Sequence, residues 1–248
     1  LSAWALWVGW YWQNPVFRLN EGAGPNPWGR GQTRGYAWTV KQLAAAGSVD
    51  GPLKDLFADA TNALAASAMD ELEARPDTLP VFPRFTRDKH GEIAPWEQHY
   101  DLMAVTFALD RGFEAYRPLL HRLGRFVVEA LTSGYHELAC IYEIATMPGG
   151  EPRLYRPATD LCDTWTEALE FDRTLYERID NAMAAGSGTQ AMQDALGTYG
   201  GEPGLFDGYP FSATGYSAML KGALAGCVRY DVDGAYAAWE ILTTHYQA

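Results

Sequence analysis

Residues 97–131 read EQHYDLMAVTFALDRGFEAYRPLLHRLGRFVVEAL, and this stretch decides the fold. A candidate helix over 97–111 is broken by a short glycine-containing connection at 111–114. Tyr116, Leu119, Leu120, Leu123, Val127 and Leu131 then recur at three- and four-residue spacings, the period of one helix face. Two helices separated by so short a break fold back as a hairpin. The same grammar recurs on both sides. Upstream, a candidate helix over 33–47 meets a short connection at 47–51. The stripe Leu53, Leu56, Phe57, Ala60, Leu64, Ala68 and Leu72 follows, with Pro52 expected at its first helical position. Downstream, Tyr216, Leu220, Ala223, Leu224 and Cys227 are followed, across a short connection at 230–234, by Ala235, Ala238, Trp239 and Leu242. Further helical candidates lie at 136–146, 161–169, 173–185 and 188–197. Period-two runs bounded by turn residues are absent, so the expected class is all-α.

Long connections hold most of the Pro and Gly: 14–32, 75–95, 148–159 and 197–215. Loops of that length in a compact domain form functional rims. No linker divides the chain by composition, and residues 1–248 are expected to form one domain. At 48% hydrophobic and 20% charged, the chain can bury a sizeable core. Its net charge of −12 repels polyanions over the surface as a whole and argues against nucleic acid as a partner, while leaving room for a local basic cleft. No apolar run is long enough for a membrane helix. Residues 1–12 (LSAWALWVGWYW) read as the interior of a helix in a longer protein, and this aromatic segment is expected to pack on missing domains or a second copy. Cys140, Cys162 and Cys227 show no metal spacing and are read as small buried hydrophobes. One disulfide plus a free thiol stays open.

Seven segments, in order, carry a resemblance: WQNPVFR at 12–18, GQTRGYAWTVKQLAAA at 31–46, PLKDLF at 52–57, APWEQHYDLMAVTFALDRGF at 94–113, RPLLHRLGRF at 117–126, GYHELACIYEIA at 134–145 and GYPFSATGYSAMLKGALA at 208–225. Together they resemble a family of mostly uncharacterised bacterial and phage-encoded proteins. The resemblance implies an α/α toroid of helical hairpins, the architecture of several polysaccharide lyases and glycoside hydrolases, here as an incomplete barrel with its long loops on one rim. The family pattern has acidic residues after the Trp of the PW segment. This chain departs from it, reading Trp96, Glu97, Gln98, His99, with a carboxylate at Asp101.

Four constellations carry candidate chemistry. Trp28, Arg30, Gln32, Arg34 and Trp38 combine loop aromatics with guanidinium groups, the pairing that packs on a sugar ring and grips its hydroxyls or carboxylate. The plainer account makes the arginines loop anchors and Trp38 core. Arg84, Arg87, Lys89 and His90 form the most basic short run of the chain, ahead of Trp96, His99, Tyr100 and Asp101. Lyase chemistry on a uronate needs a cation over the carboxylate and a base beside the neighbouring proton. Arg84 and the histidines suit the first role, Tyr100 or His99 the second. A solvated loop with an ordinary histidine explains the same residues. Glu92, Glu97 and Asp101 could supply the acid and base of a hydrolase, or simply favour a helix N-terminus. In GYPFSATGY at 208–216, Tyr209 is a candidate sugar contact, and Ser212 or Thr214 a helix cap. No metal site and no cofactor is assigned.

Two readings follow. The first is a glycan-engaging structural or binding domain of a larger extracellular or phage-particle (virion) protein, using Trp28, Arg30, Arg34, Arg87, Trp96 and Tyr209 and expecting Trp28 and Trp96 exposed. The second is a polysaccharide lyase, or a glycoside hydrolase, acting on a uronate-containing polysaccharide through Tyr100, His99, His90 and Arg84.

Overall fold

A computed structural model describes residues 33–74, 80–81, 92–93, 95–132, 144–145 and 216–245. They form α1 (Thr33–Gly47), α2 (Lys54–Glu73), β1 (Glu92–Ile93), α3 (Pro95–Leu109), a 3-10 turn (Glu114–Tyr116), α4 (Arg117–Thr132), β2 (Ile144–Ala145), α5 (Tyr216–Arg229) and α6 (Ala235–His245). Apart from one two-residue strand pair, the described elements are helical, as the periodicity predicts.

The helices pair as three hairpins, α1–α2, α3–α4 and α5–α6, each closed by a short connection. Contacts between hairpins follow a regular scheme. Helix α3 packs on both α1 and α5, and α4 packs on both α2 and α6. The first members therefore form a front layer and the second members a back layer.

Side-chain registers fix the directions. The Lys41 ammonium lies 5.6 Å from the Phe107 ring centroid, and a Cβ on Gly47 would lie 3.1 Å from the Phe113 ring. Equal steps along both segments mean that α1 and α3 run parallel. On the other side, Gly222 faces Met103 and Gly226 faces Thr106, so α5 runs parallel to α3 as well. Glycine is required here, because a Cβ on Gly226 would collide with the Thr106 side chain. All three short turns consequently share one end of the layer. The N-termini of α1, α3 and α5 share the other, where the long connections enter.

The turns after α3 and α5 close by one repeated device. Phe113 N–H donates to Ala108 O at 3.1 Å with Gly112 at φ 86°. Val232 N–H donates to Cys227 O at 2.9 Å with Asp231 at φ 55°. Each is a helix C-cap with one left-handed residue, natural for glycine and strained for aspartate. Between the layers lies a continuous apolar core that includes Phe57, Leu64, Leu72, Leu102, Leu119, Leu120, Leu131, Leu220 and Leu242. Each such side chain contributes about 1.5–3 kcal/mol on burial. The buried Tyr116 hydroxyl donates to Thr61 O at 2.9 Å, tying α2 to the start of α4.

Four sequence expectations need correction. Leu56 is 55% exposed, because the buried stripe of α2 runs through Phe57, Thr61, Leu64 and Ala65 instead. Pro52 precedes the N-cap, Leu53, and so belongs to the turn. Tyr116 closes the 3-10 turn rather than opening α4. Ile144 and Ala145, expected to end a helix, are extended and pair antiparallel with Ile93 and Glu92. That pairing sits two residues before α3 and joins the strand entering α3 to chain that lies beyond α4. The candidate helices over 161–169, 173–185 and 188–197 lie outside the described residues.

Candidate functional site

A helix packed on one side buries only part of each turn. The first turn of α3 does otherwise. Pro95, Trp96, Glu97, Gln98 and His99 are all buried, and Asp101 and Leu102 follow. This end of the central front helix is enclosed on every side, and four of the enclosed side chains are polar: Glu97, Gln98, His99 and Asp101. Burying such groups costs free energy unless partners compensate. A polar run at this depth therefore marks a place where packing alone did not choose the residues.

His99 is the extreme member, at 0% exposure and with neither ring nitrogen in a hydrogen bond. Burial pushes its pKa down to about 3, so the ring is neutral. It carries one N–H donor, one lone-pair acceptor and no positive charge. Its neighbour Tyr100 is only half-buried, and the Trp96 ring meets the Tyr100 ring edge-on at 6.0 Å and 75°.

Helical spacing tells which way these residues lie. His99 shares a stripe with Met103 and Thr106, the residues that meet Gly222 and Gly226, so it stands on the α5 side of α3. Tyr100 shares a stripe with Phe107, on the α1 side. Extending the α1–α3 register back from Lys41 and Phe107 brings the backbone of Arg34 level with Tyr100. The equivalent α3–α5 register brings Tyr216 level with Trp96. The N-terminal ends of the three front helices thus gather the positions of Arg34, Trp96, His99, Tyr100 and Tyr216.

The other sequence candidates divide cleanly. Trp28, Arg30, Gln32, Arg84, Arg87, Lys89, His90, Tyr209, Ser212 and Thr214 lie outside the described residues, as do residues 1–12, Cys140 and Cys162. Glu92 is placed by its backbone, in β1. Trp38 is half-buried on α1. Trp96 is not the exposed platform expected of it: enclosure of the first turn of α3 leaves it 9% exposed. Cys227 is buried in the core, where burial pushes its thiol up to about 12. Among the described residues, no group of three or more His, Cys, Asp or Glu could hold a metal ion, and no helix is long and apolar enough to cross a membrane.

One arrangement has no counterpart in the sequence reading. The Arg111 guanidinium lies over the Phe107 ring at 3.2 Å from its centroid, and Lys41 approaches the same ring. Both cations are exposed. Among the described residues no carboxylate pairs with either. Asp110 accepts from Tyr230 at 2.7 Å and pairs with Arg229 at 3.2 Å, and Glu114 pairs with Arg117 at 2.8 Å. The only local signal was the i, i+4 spacing of Phe107 and Arg111; Lys41 arrives from another hairpin.

No protein-family model, no curated protein and no solved structure matches the chain.

Proposed function

We propose that the chain is a glycan-engaging, non-catalytic domain of a larger extracellular or phage-particle protein. In this reading the hairpin row continues into an α/α toroid, and the working end is the one where the front helices begin. Three parallel front helices backed by three return helices are what a sector of such a toroid requires, with the front layer as its inner ring. The observation that carries the functional reading is the enclosed polar run Glu97, Gln98, His99 and Asp101 at that end. Buried ionisable groups cluster at functional sites more than in ordinary cores, where their burial costs stability unless partners compensate.

Binding is preferred to catalysis because of what burial does to His99. A polymer cannot reach a side chain with no exposed surface, and a neutral ring brings no charge to a uronate carboxylate. His99 then acts as internal scaffolding beside Tyr100. The lyase reading keeps one specific support: Tyr100 is half-buried, level with Arg34, and could meet a substrate proton.

A panel of acidic and neutral polysaccharides separates the two. Binding without new ultraviolet absorbance from unsaturated uronates, and without new reducing ends, is the expected result. Absorbance that rises with time and disappears in Tyr100→Phe would replace this reading with the lyase.

A further inference from the structure

Two like charges at one aromatic ring repel each other, and a folded chain with net charge −12 has many carboxylates available to neutralise them. At Phe107 none does so among the described residues. Arg111 instead sits over the ring, 3.2 Å from its centroid, with its Nη1 donating to Phe107 O at 3.4 Å. A guanidinium attracted to a ring face this way keeps further N–H groups for a planar acceptor. Lys41, on the neighbouring parallel helix, adds a second positive charge 5.6 Å from the same centroid. The surroundings are aromatic. Trp38 lies one turn before Lys41 on α1, and Tyr100 lies two turns before Phe107 on α3, both half-buried. The register puts Trp38 between the levels of Tyr100 and Phe107. The strip covers about 14 Å of helix from Tyr100 to Leu109 at 1.5 Å per residue, with Arg111 in the turn beyond, room for an oligosaccharide rather than a single ring.

We propose that this front-layer strip binds an acidic oligosaccharide, with the Arg111 guanidinium holding a sugar carboxylate, Lys41 adding positive charge at the same ring, and the half-buried Tyr100 lying farther along the strip. The proposal rests on the glycan-binding reading and narrows it to uronate-bearing chains. It also moves the charge-reading groups from the loop residues expected in the sequence to Lys41 on α1 and Arg111 in the turn after α3, so that the strip runs from the end where the front helices begin toward the end where they turn. Paired donors from a guanidinium recognise a carboxylate by shape as well as charge, so an arginine held this way discriminates acidic from neutral sugars. Bound carboxylate would relieve the repulsion between the two cations, which gives the anion a differential gain that a neutral hydroxyl lacks.

The test is calorimetric titration of the full chain with a hexauronate, with a neutral hexasaccharide of equal length, and with a short single-stranded oligonucleotide as a phosphate control. Lys41→Gln and Arg111→Gln change exposed side chains, and Arg111→Lys keeps the charge but removes the paired donors. Lys54→Gln, a lysine on the back layer, serves as the surface-charge control. The expected result is hexauronate binding that weakens about tenfold in each Gln variant. Arg111→Lys should weaken it to an intermediate degree, and Lys54→Gln should leave it unchanged. Hexauronate binding indifferent to both Gln variants would overturn the strip while leaving glycan binding intact. Equal affinity for the oligonucleotide would reduce the strip to a generic anion patch and overturn it too. Failure of every glycan to bind would overturn both this proposal and the function beneath it.

Discussion

Helices α3 and α4 are joined by one turn and are almost equal in length, 15 and 16 residues, yet they are buried by different rules. In α4 the buried set is apolar throughout, from Leu119 to Leu131, and Arg117, Arg122, Arg125 and Glu129 keep to the wetter side. In α3 the last two turns follow that rule and the first two do not, since Glu97, Gln98, His99 and Asp101 lie inside with the rest. Their places explain the difference. As a back-layer helix, α4 needs only one apolar face. At the centre of the front layer, α3 has helices on two sides, the back layer behind it and a two-residue strand pair two residues ahead of its first turn. Apolar burial thus accounts for the fully buried set of α4. Apolar burial alone does not choose the polar set at the start of α3, and the proposed function is placed there.

The comparison can be broken at α4 first. Leu120 is fully buried, and Leu120→Ala should destabilise the fold by about 3 kcal/mol, the sum of lost transfer energy and an unfilled cavity. Chemical denaturation reads this directly, and a loss below about 1 kcal/mol would mean that the interlayer core is not packed as described.

At His99 the expected sign reverses. Replacing an enclosed imidazole that makes no hydrogen bond by a hydrocarbon of similar size removes a desolvation cost, so His99→Leu should stabilise by about 1–2 kcal/mol at neutral pH. The pH dependence sharpens the point. The folded-state pKa of about 3 lies below the unfolded value of 6.5, so the unfolded chain binds the extra proton between them. His99's share of stability is intact above about pH 6.5 and falls as pH drops toward 3, with a slope of up to about 1.4 kcal/mol per pH unit. The Leu variant should lack that share of the slope. Denaturation midpoints that shift with pH in the same way for both proteins would show that His99 is hydrated after all.

The smallest effect belongs to the turns. Gly112 and Asp231 hold equivalent left-handed positions, at φ 86° and 55°, and only the aspartate pays a steric cost. Asp231→Gly should stabilise by about 0.5–1 kcal/mol, net of the extra backbone entropy of glycine. A thermal melt comparing the two proteins decides it, and a loss of stability would mean that the Asp231 side chain contributes something its backbone does not reveal.

The sequence was most legible where burial is one-sided. The stripe from Leu119 to Leu131 and the three short connections were readable because hydrophobic period and turn residues are local signals. Leu56 was misread because α2 offers two overlapping apolar stripes, and tertiary packing chose the one through Thr61 and Ala65. The strand pair was invisible, since two residues cannot display an alternation. Enclosure on all sides has no periodic signature either, so EQHY at 97–100 reads as a wet helix start although most of it is buried. Trp96, His99 and Tyr100 were nonetheless chosen as candidates by residue type. The pairing of Lys41 with Arg111 depends on the register between two hairpins, which no local pattern encodes.

The central claim is that the front layer engages glycan and the back layer only supports it. Hydrogen exchange of the full chain, with and without saturating hexauronate, tests this most directly. Protection should appear in peptides covering α1 and α3, residues 33–47 and 95–111, with α2 and α4 unchanged. Protection confined to the back layer, or none anywhere despite measured binding, would contradict the account.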